Sequence, residues 1–294
     1  MLCYLATEEL DLDAAINIGE RALPIAAAGP APSASTLARV TFWLALALSR
    51  DHERAAALAE EARAGYGAAG DHWGVAASSL VRAQGAVHAG DISTVATMTA
   101  EIVRHSGAIG YDAFEVPAML LEAWVAERRN EPAAEDAYRR ALELARRIGF
   151  ADHASFALAQ LGSNALEHGD MRQAEELFRQ ALATAEAALT SWLAAHARVQ
   201  LARVLEAAGD ADIPEMLYGT VVEWSQTPRP RQVRESLFVV LAGSPGAAAL
   251  RGLARLAAAR GDDAAADNLQ ARAAAMAERD RTSPRRAAGA AVVT

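Results

Sequence analysis

Residues 161–182 read LGSNALEHGDMRQAEELFRQAL, and this stretch decides the fold. Apolar residues recur at helical spacing on both sides of the central Gly169-Asp170 pair, as at Ala174 and Phe178. Glycine favours the left-handed conformation that ends a helix, and an aspartate side chain caps the free amides that begin the next helix. The stretch therefore predicts two antiparallel helices joined by a short turn.

The same turn signal recurs along the chain at a nearly constant interval. Its acidic or amide residues are spaced 40, 40, 39, 40 and 40 residues apart: Asp11, Asp51, Asp91, Asn130, Asp170 and Asp210, with Asp262 following after 52. A second signal lies half a repeat away, at Gly70-Asp71, Gly110-Tyr111-Asp112 and Gly149-Phe150-Ala151-Asp152. Repeats of this length are typical of solenoids. We therefore expect an all-α fold, an α-solenoid of about seven antiparallel helix-turn-helix repeats of about 40 residues.

The composition agrees with a helical fold and indicates how the helices pack. About a quarter of the residues are alanine, the strongest helix former, and only 5% are aromatic. Tyr138, Phe178 and Tyr218 recur 40 residues apart on the predicted second helices, with Ala134 and Ala174 at the small positions. Because a bulky side chain needs a facing hole, we expect these aromatic residues to lie in the core.

Charge and cysteine content restrict the setting and the partners. The formal net charge is -9 and the isoelectric point is near 5.3, so the average surface repels nucleic acid. The single cysteine, Cys3, cannot form an internal disulfide. Since the longest apolar run, Val40 to Leu48, is too short to cross a membrane, we expect a soluble cytoplasmic protein that binds neither nucleic acid nor membranes directly.

The repeat around Gly169 resembles a tetratricopeptide repeat (TPR). The resemblance rests on Leu161-Gly162 in the first helix, the Gly169-Asp170 turn, and Ala174, Phe178 and Ala181-Leu182 in the second helix. Residues 115–149 and 191–224 resemble it with substitutions. The longer repeat and the segment Gly70-Asp71-His72-Trp73-Gly74 are similar to the C-terminal helical-repeat regions of MalT-like (LuxR-type) and antibiotic-regulator (BTAD-containing) bacterial transcriptional activators. This resemblance implies a regulatory, sensor-type role.

Both ends of the chain depart from the regular repeat. Met1 to Leu10 resembles the trailing half of a first helix, so we expect a truncated first repeat, and either a stand-alone remnant or a misassigned start. The solenoid is predicted over residues 1–280, with a Pro-Arg insertion at about 225–235 that cannot continue a helix. Residues 281–294 carry no core pattern and are predicted to be a disordered tail.

The sequence offers no recognisable catalytic or metal-binding motif. Its seven histidines are never three or four residues apart, and it contains no lysine, which excludes a Schiff-base lysine and a phosphate-loop lysine. A Gly-x-Ser-x-Gly nucleophile motif is absent as well. We therefore predict neither a cofactor nor a metal, and an enzyme is the least favoured class.

The concave face of a solenoid, lined by its first helices, is the predicted binding surface. The 40-residue register places these polar residues on that face: Gln84, His88, Glu127, Ser163, Glu167, His196, Arg203 and Glu206. An ordinary solvated groove without a dedicated ligand explains them equally well. Because the face lacks lysine and carries carboxylates, a partly basic or apolar peptide suits it better than an acidic tail.

The leading hypothesis is a non-catalytic interaction or regulatory scaffold that binds a peptide or partner protein in this groove. The alternative is a regulatory domain that senses a small-molecule effector in the same groove. A ligand-induced rise in melting temperature would favour the alternative. The oligomeric state stays open at this point.

Overall fold

The computed structural model describes residues 12–28, 34–48, 51–227 and 244–281, and within these ranges the chain is all-helical. Thirteen α-helices follow one another, and residues 112–114 form a short 3₁₀ turn. We number the helices in chain order: α1 (Leu12–Ala27), α2 (Ala34–Ala47), α3 (His52–Ala68), α4 (His72–Ala89), α5 (Ile92–Ile109), α6 (Glu115–Arg128), α7 (Ala133–Ile148), α8 (Ala151–Glu167), α9 (Met171–Ala187), α10 (Ser191–Ala207), α11 (Asp212–Gln226), α12 (Pro245–Ala259) and α13 (Asp263–Arg281). The predicted fold class, an α-solenoid, is confirmed.

The helices pair into antiparallel hairpins that stack side by side. Six hairpins are complete in the described ranges: α2–α3, α4–α5, α6–α7, α8–α9, α10–α11 and α12–α13. Helix α1 packs on α2, in the place that the second helix of a preceding hairpin would take. Together the described helices agree with the prediction of about seven repeats, and residues 1–11, in which the truncated first repeat is predicted to begin, lie outside the described ranges.

The turns break the helices where the sequence predicts. Gly169 adopts a positive φ of 81°, and the Asp170 side chain accepts a hydrogen bond from the Gln173 amide at 2.9 Å, which caps α9. Asn130 and Leu189 fill the equivalent place without glycine, at φ 53° and 56°. The periodic Gly-Asp signal therefore marks real helix ends.

Asp112 and Asp152 are exceptions to the predicted capping pattern. Asp112 lies inside the short 3₁₀ turn, and the helix that follows has Phe114 at its N-cap without a side-chain capping bond. Helix α8 begins at Ala151 with Phe150 as its N-cap residue, so Asp152 lies inside the first turn. Its carboxylate accepts hydrogen bonds from the backbone amide and the Nδ1 atom of His153, at 2.8 and 2.9 Å. The expectation that this aspartate caps α8 is wrong, because the helix begins two residues earlier than a cap at Asp152 would require.

The aromatic residues of the second helices fill the core, as expected. Tyr138, Phe178 and Tyr218 are each at most 1% exposed. The ring of Phe178 lies so close to Gly162 on α8 that a Cβ atom there would be 2.8 Å from it. Gly162 opposite Phe178 and Gly252 opposite Tyr218 let the helix axes approach closely.

The first helices form an inner row. Apart from their partners in the hairpins, they contact the first helices of neighbouring hairpins, in the pairs α2–α4, α4–α6, α6–α8, α8–α10 and α10–α12. The second helices contact one another less. A stack that is tighter on one side curves toward that side, so the first helices lie on the concave face.

The predicted insertion and tail fall mostly outside the described ranges. Helix α11 continues to Gln226, so the first two residues of the insertion predicted at about 225–235 are helical. Helix α13 ends at Arg281, the first residue of the predicted tail 281–294. The remaining residues of both segments, apart from Thr227, are not described.

Candidate functional site

All eight residues predicted to bind lie on first helices of the inner row. Gln84 and His88 are on α4, Glu127 is on α6, and Ser163 and Glu167 are on α8. His196, Arg203 and Glu206 are on α10. They differ in accessibility, however, since Gln84 and His196 are buried at 8% and 5% exposure. Burial leaves these two residues little surface to offer a partner.

His196 is held between aromatic rings of two neighbouring first helices. Its imidazole lies parallel to the Trp192 ring, with centroids 5.5 Å apart, and also stacks against Phe156 of α8 at 6.4 Å. Burial, assisted by the positive charge of Arg203, lowers the pKa of His196 to about 4. His196 is therefore neutral near pH 7, and it acts as part of the packing between α8 and α10.

Glu127 belongs to a cluster between α6, α7 and α8. It shares a hydrogen bond with the hydroxyl of Tyr138, which also accepts a bond from Gln160 Nε2 at 3.4 Å. Burial raises the pKa of Glu127, and the charge of Glu167 raises it further, although the Tyr138 bond and Arg128 act in the opposite direction. Two inner-row carboxylates thus interact through a partly desolvated space.

A second cluster of the same design lies between α10, α11 and α12. The Tyr218 hydroxyl donates a hydrogen bond to Glu206 Oε2 at 2.8 Å. Arg255 donates to both carboxylate oxygens of Glu206, from Nε at 2.9 Å and from Nη2 at 2.8 Å, and to the Tyr218 oxygen at 3.2 Å. Burial raises the pKa of Glu206, but the bonds from Arg255 and Tyr218 outweigh it and hold the pKa below its usual value.

The two clusters differ in the residue that the next first helix contributes. Arg255 neutralises Glu206, whereas the corresponding partner of Tyr138 is the uncharged Gln160. Within the described ranges, neither Glu127 nor Glu167 forms an ion pair, and the guanidinium of Arg128 lies over the Trp124 ring instead. The inner row therefore carries one neutralised and one unneutralised acidic cluster.

The other predicted residues have simpler surroundings. The ring of exposed His88 contacts that of His52 in a tilted arrangement, with centroids 4.0 Å apart. The Ser163 hydroxyl donates to the carbonyl oxygen of Ala159 in its own helix at 3.1 Å. Arg203 is exposed and donates to Gln200 Oε1 at 2.8 Å. His88 and Arg203 are thus available on the surface, while the hydroxyl of Ser163 is used within α8.

Sequence reasoning missed the hydroxyl groups that complete both clusters. Tyr138 and Tyr218 are core residues, as predicted, yet their hydroxyls reach the carboxylates of first helices. The signal that could have revealed them was the residue type. Positions 138 and 218 hold tyrosine, whereas the equivalent position 178 holds phenylalanine, which has no hydroxyl. A buried tyrosine oxygen requires a polar partner, and this requirement points toward Glu127 and Glu206.

A depression of about 300 Å³ lies outside the inner row, between α7, α8 and α9. Its lining includes Asp170, which caps α9, and His168, whose Nδ1 lies 2.7 Å from the Asn164 carbonyl oxygen. The fold itself uses these polar groups. In the described part of the chain, no group of three or more His, Cys, Asp or Glu side chains is placed to hold a metal ion, and no helix there could span a bilayer.

Comparison with known families agrees with this architecture. The family model described as tetratricopeptide repeat matches residues 125–187, which cover α7, α8, α9 and the end of α6. The chain is a TPR-like α-solenoid. A search of curated proteins finds no significant match to it.

Solved structures share the fold of this TPR-like chain at low sequence identity. The apo form of the quorum sensor NprR from B. thuringiensis is 11% identical, with a TM-score of 0.63 over 93% of this chain and 84% of that one. BtubC from P. vanneervenii is 16% identical, with a TM-score of 0.55 over 85% and 98%. A signal transduction ATPase with a tetratricopeptide repeat sensor, from Pyrococcus horikoshii, is 14% identical, with a TM-score of 0.55 over 83% of this chain and 42% of that protein.

Proposed function

We propose that this chain is a non-catalytic regulatory module that binds a peptide or protein partner along its inner row of first helices. Two of the structural neighbours, the quorum sensor and the ATPase with a repeat sensor, are sensor proteins, which supports a regulatory role. The narrower resemblance to the sensor regions of MalT-like and antibiotic-regulator activators is part of the same proposal.

The unneutralised carboxylate pair Glu127–Glu167 carries this proposal. Burial and the charge of Glu167 raise the pKa of Glu127 and outweigh the Tyr138 bond and the charge of Arg128, so the charged carboxylate of Glu127 is destabilised. In the equivalent cluster of the same chain, the guanidinium of Arg255 satisfies both Glu206 and Tyr218. A partner that brings an arginine to Glu127 and Tyr138 would supply the missing interaction.

The expected partner is therefore a peptide segment with at least one arginine among apolar residues. Exposed His88 and Arg203 lie on the same row of helices. Along the stack, His88 on α4 precedes the Glu127–Glu167 pair, and Arg203 on α10 follows it. We propose them, together with Glu127 and Glu167, as the residues that contact the partner. We assign Glu206 and His196 to the internal structure of the row. Glu206 is already paired with Arg255, and His196 is buried by ring stacking.

Neutralising the carboxylate pair should weaken binding of arginine-containing peptides. From an arrayed library of random peptides, we expect the chain to bind sequences that are enriched in arginine. Replacing Glu127→Gln and Glu167→Gln should reduce the affinity for these peptides about tenfold or more. The reason is that a charge-assisted hydrogen bond contributes about 1.5–3 kcal/mol. Fluorescence anisotropy with a labelled selected peptide measures the change.

Glu143→Gln provides the matched control. Glu143 is an exposed carboxylate of the second helix α7, so the variant loses one negative charge away from the inner row, as each single inner-row substitution does within it. We expect its affinity to equal that of the unmodified chain. Equal weakening by all three substitutions would reduce the effect to net charge, and selected peptides without basic enrichment would contradict the proposed partner.

A further inference from the structure

Two histidines join the beginning of α4 to the last part of α5. His72 Nδ1 and His105 Nδ1 are 2.8 Å apart, and the ring centroids are 5.0 Å apart. At this distance, one ring nitrogen must donate a hydrogen bond and the other must accept it. The contact therefore depends on the protonation of both imidazoles.

The neighbouring Arg104 assigns the protons. Its Nη2 atom lies 3.1 Å from His105 Nε2, and a guanidinium can only donate. His105 Nε2 must then be the acceptor, so neutral His105 carries its proton on Nδ1 and donates it to His72 Nδ1. This assignment, made from the hydrogen-bond network, uses both histidines in their neutral forms.

The charged groups around the pair come from α3 and α5. Arg63 of α3 donates to Glu101 Oε1 at 3.0 Å, and Ser79 of α4 donates to Glu101 Oε2 at 2.9 Å, so three helices meet beside the histidines. Burial and the charges of Arg104, His72 and Arg63 lower the pKa of His105, while Glu101 acts in the opposite direction. The surroundings therefore favour the neutral form of His105.

We propose that His72 and His105 form a pH-sensitive latch that holds α4 against α5 at neutral pH and opens on mild acidification. A proton added to His105 Nε2 would face the Arg104 guanidinium. A second proton would leave two Nδ1–H groups directed at each other, with no acceptor between them. The first step turns the contact between Arg104 and His105 within α5 into a repulsion, and the second step does the same to the contact between His72 and His105 that joins α4 to α5.

The sign of the effect follows from linkage. The pKa of His105 in the folded chain lies below its ordinary value of 6.5, so an opened hairpin binds the proton more strongly than the closed one. The stabilising contribution of the latch is complete above pH 6.5 and is lost as the pH falls through the folded-state pKa. Opening should therefore become easier in mildly acidic solution.

Amide hydrogen exchange on the full chain tests the latch. Rates would be measured at pH 7.5 and 5.5, corrected for intrinsic exchange, and normalised to α8. We expect segments 72–79 and 101–109 to open more often at the lower pH. The increase should be up to about tenfold for each unit by which the pKa of His105 is lower in the closed hairpin than in the opened one. His105→Gln and, independently, His72→Gln should abolish this increase.

His168→Gln is the matched control. Its Nδ1 contacts the carbonyl oxygen of Asn164 at the end of α8, so the substitution removes an imidazole outside the latch. This variant should keep the full acid-induced opening, and His52 and His88 are unchanged in every variant. The latch would be refuted if segments 72–79 and 101–109 showed no acid-induced opening, or if His105→Gln and His72→Gln both kept the opening of the unmodified chain.

Discussion

Phe178→Ala is expected to lower the free energy of unfolding by about 3–5 kcal/mol, the usual cost of a large cavity in a core. The Phe178 side chain is fully buried on α9 and belongs to the largest core cluster, which extends from α6 to α10. Its ring packs directly against Gly162, where no side chain is present to move into the space. Urea denaturation followed by circular dichroism measures the loss.

His88→Ala and Arg203→Ala are the corresponding surface controls. Both residues are exposed on first helices, so each substitution should change the free energy of unfolding by at most about 0.5 kcal/mol. Their effect on partner binding should be larger than their effect on folding. Equal losses of stability for Phe178, His88 and Arg203 would show that the faces of the hairpins are assigned incorrectly.

Gly252→Ala is expected to destabilise the chain by about 1–3 kcal/mol, the cost of an overpacked core. A Cβ atom at this position would lie 2.4 Å from Cζ and Cε2 of Tyr218. The Tyr218 ring cannot move away freely, because Glu206 and Arg255 both hydrogen-bond its hydroxyl. The close approach of α11 and α12 therefore requires glycine at position 252.

Gly219→Ala should have the opposite sign. This glycine also lies within a helix, but no atom of another part of the chain lies within 4 Å of the position of its Cβ. Alanine should stabilise α11 by up to about 1 kcal/mol through helix propensity alone. Thermal melting of the two variants compares them directly, and a stabilised Gly252→Ala variant would show that the two helices separate more easily than their contact indicates.

The repeat register could be predicted from sequence because its signals are local. A glycine followed by a capping aspartate, as at Gly169-Asp170, ends one helix and begins the next within a few residues. Asp152 shows where such a signal fails, since two residues separate it from Gly149 and the helix begins before it. The three buried aromatic residues were predictable because they recur at the 40-residue period of the repeat.

The candidate site was less predictable because its contacts join distant helices. His196 reads as a polar residue on a groove-lining helix, but Phe156 of another hairpin helps to bury it. Arg255 lies 49 residues from Glu206, beyond the irregular spacing that interrupts the 40-residue register. Whether a carboxylate is neutralised therefore depends on the three-dimensional stacking of neighbouring hairpins.

The stacking of hairpins has a mechanical consequence. Among the described helices, the main contacts of each hairpin are with the hairpins beside it. Stretching the chain between its ends would then detach hairpins one at a time, and each force step would report a single interface. The hairpins should therefore detach separately as the molecule extends, and the outermost hairpins should detach first.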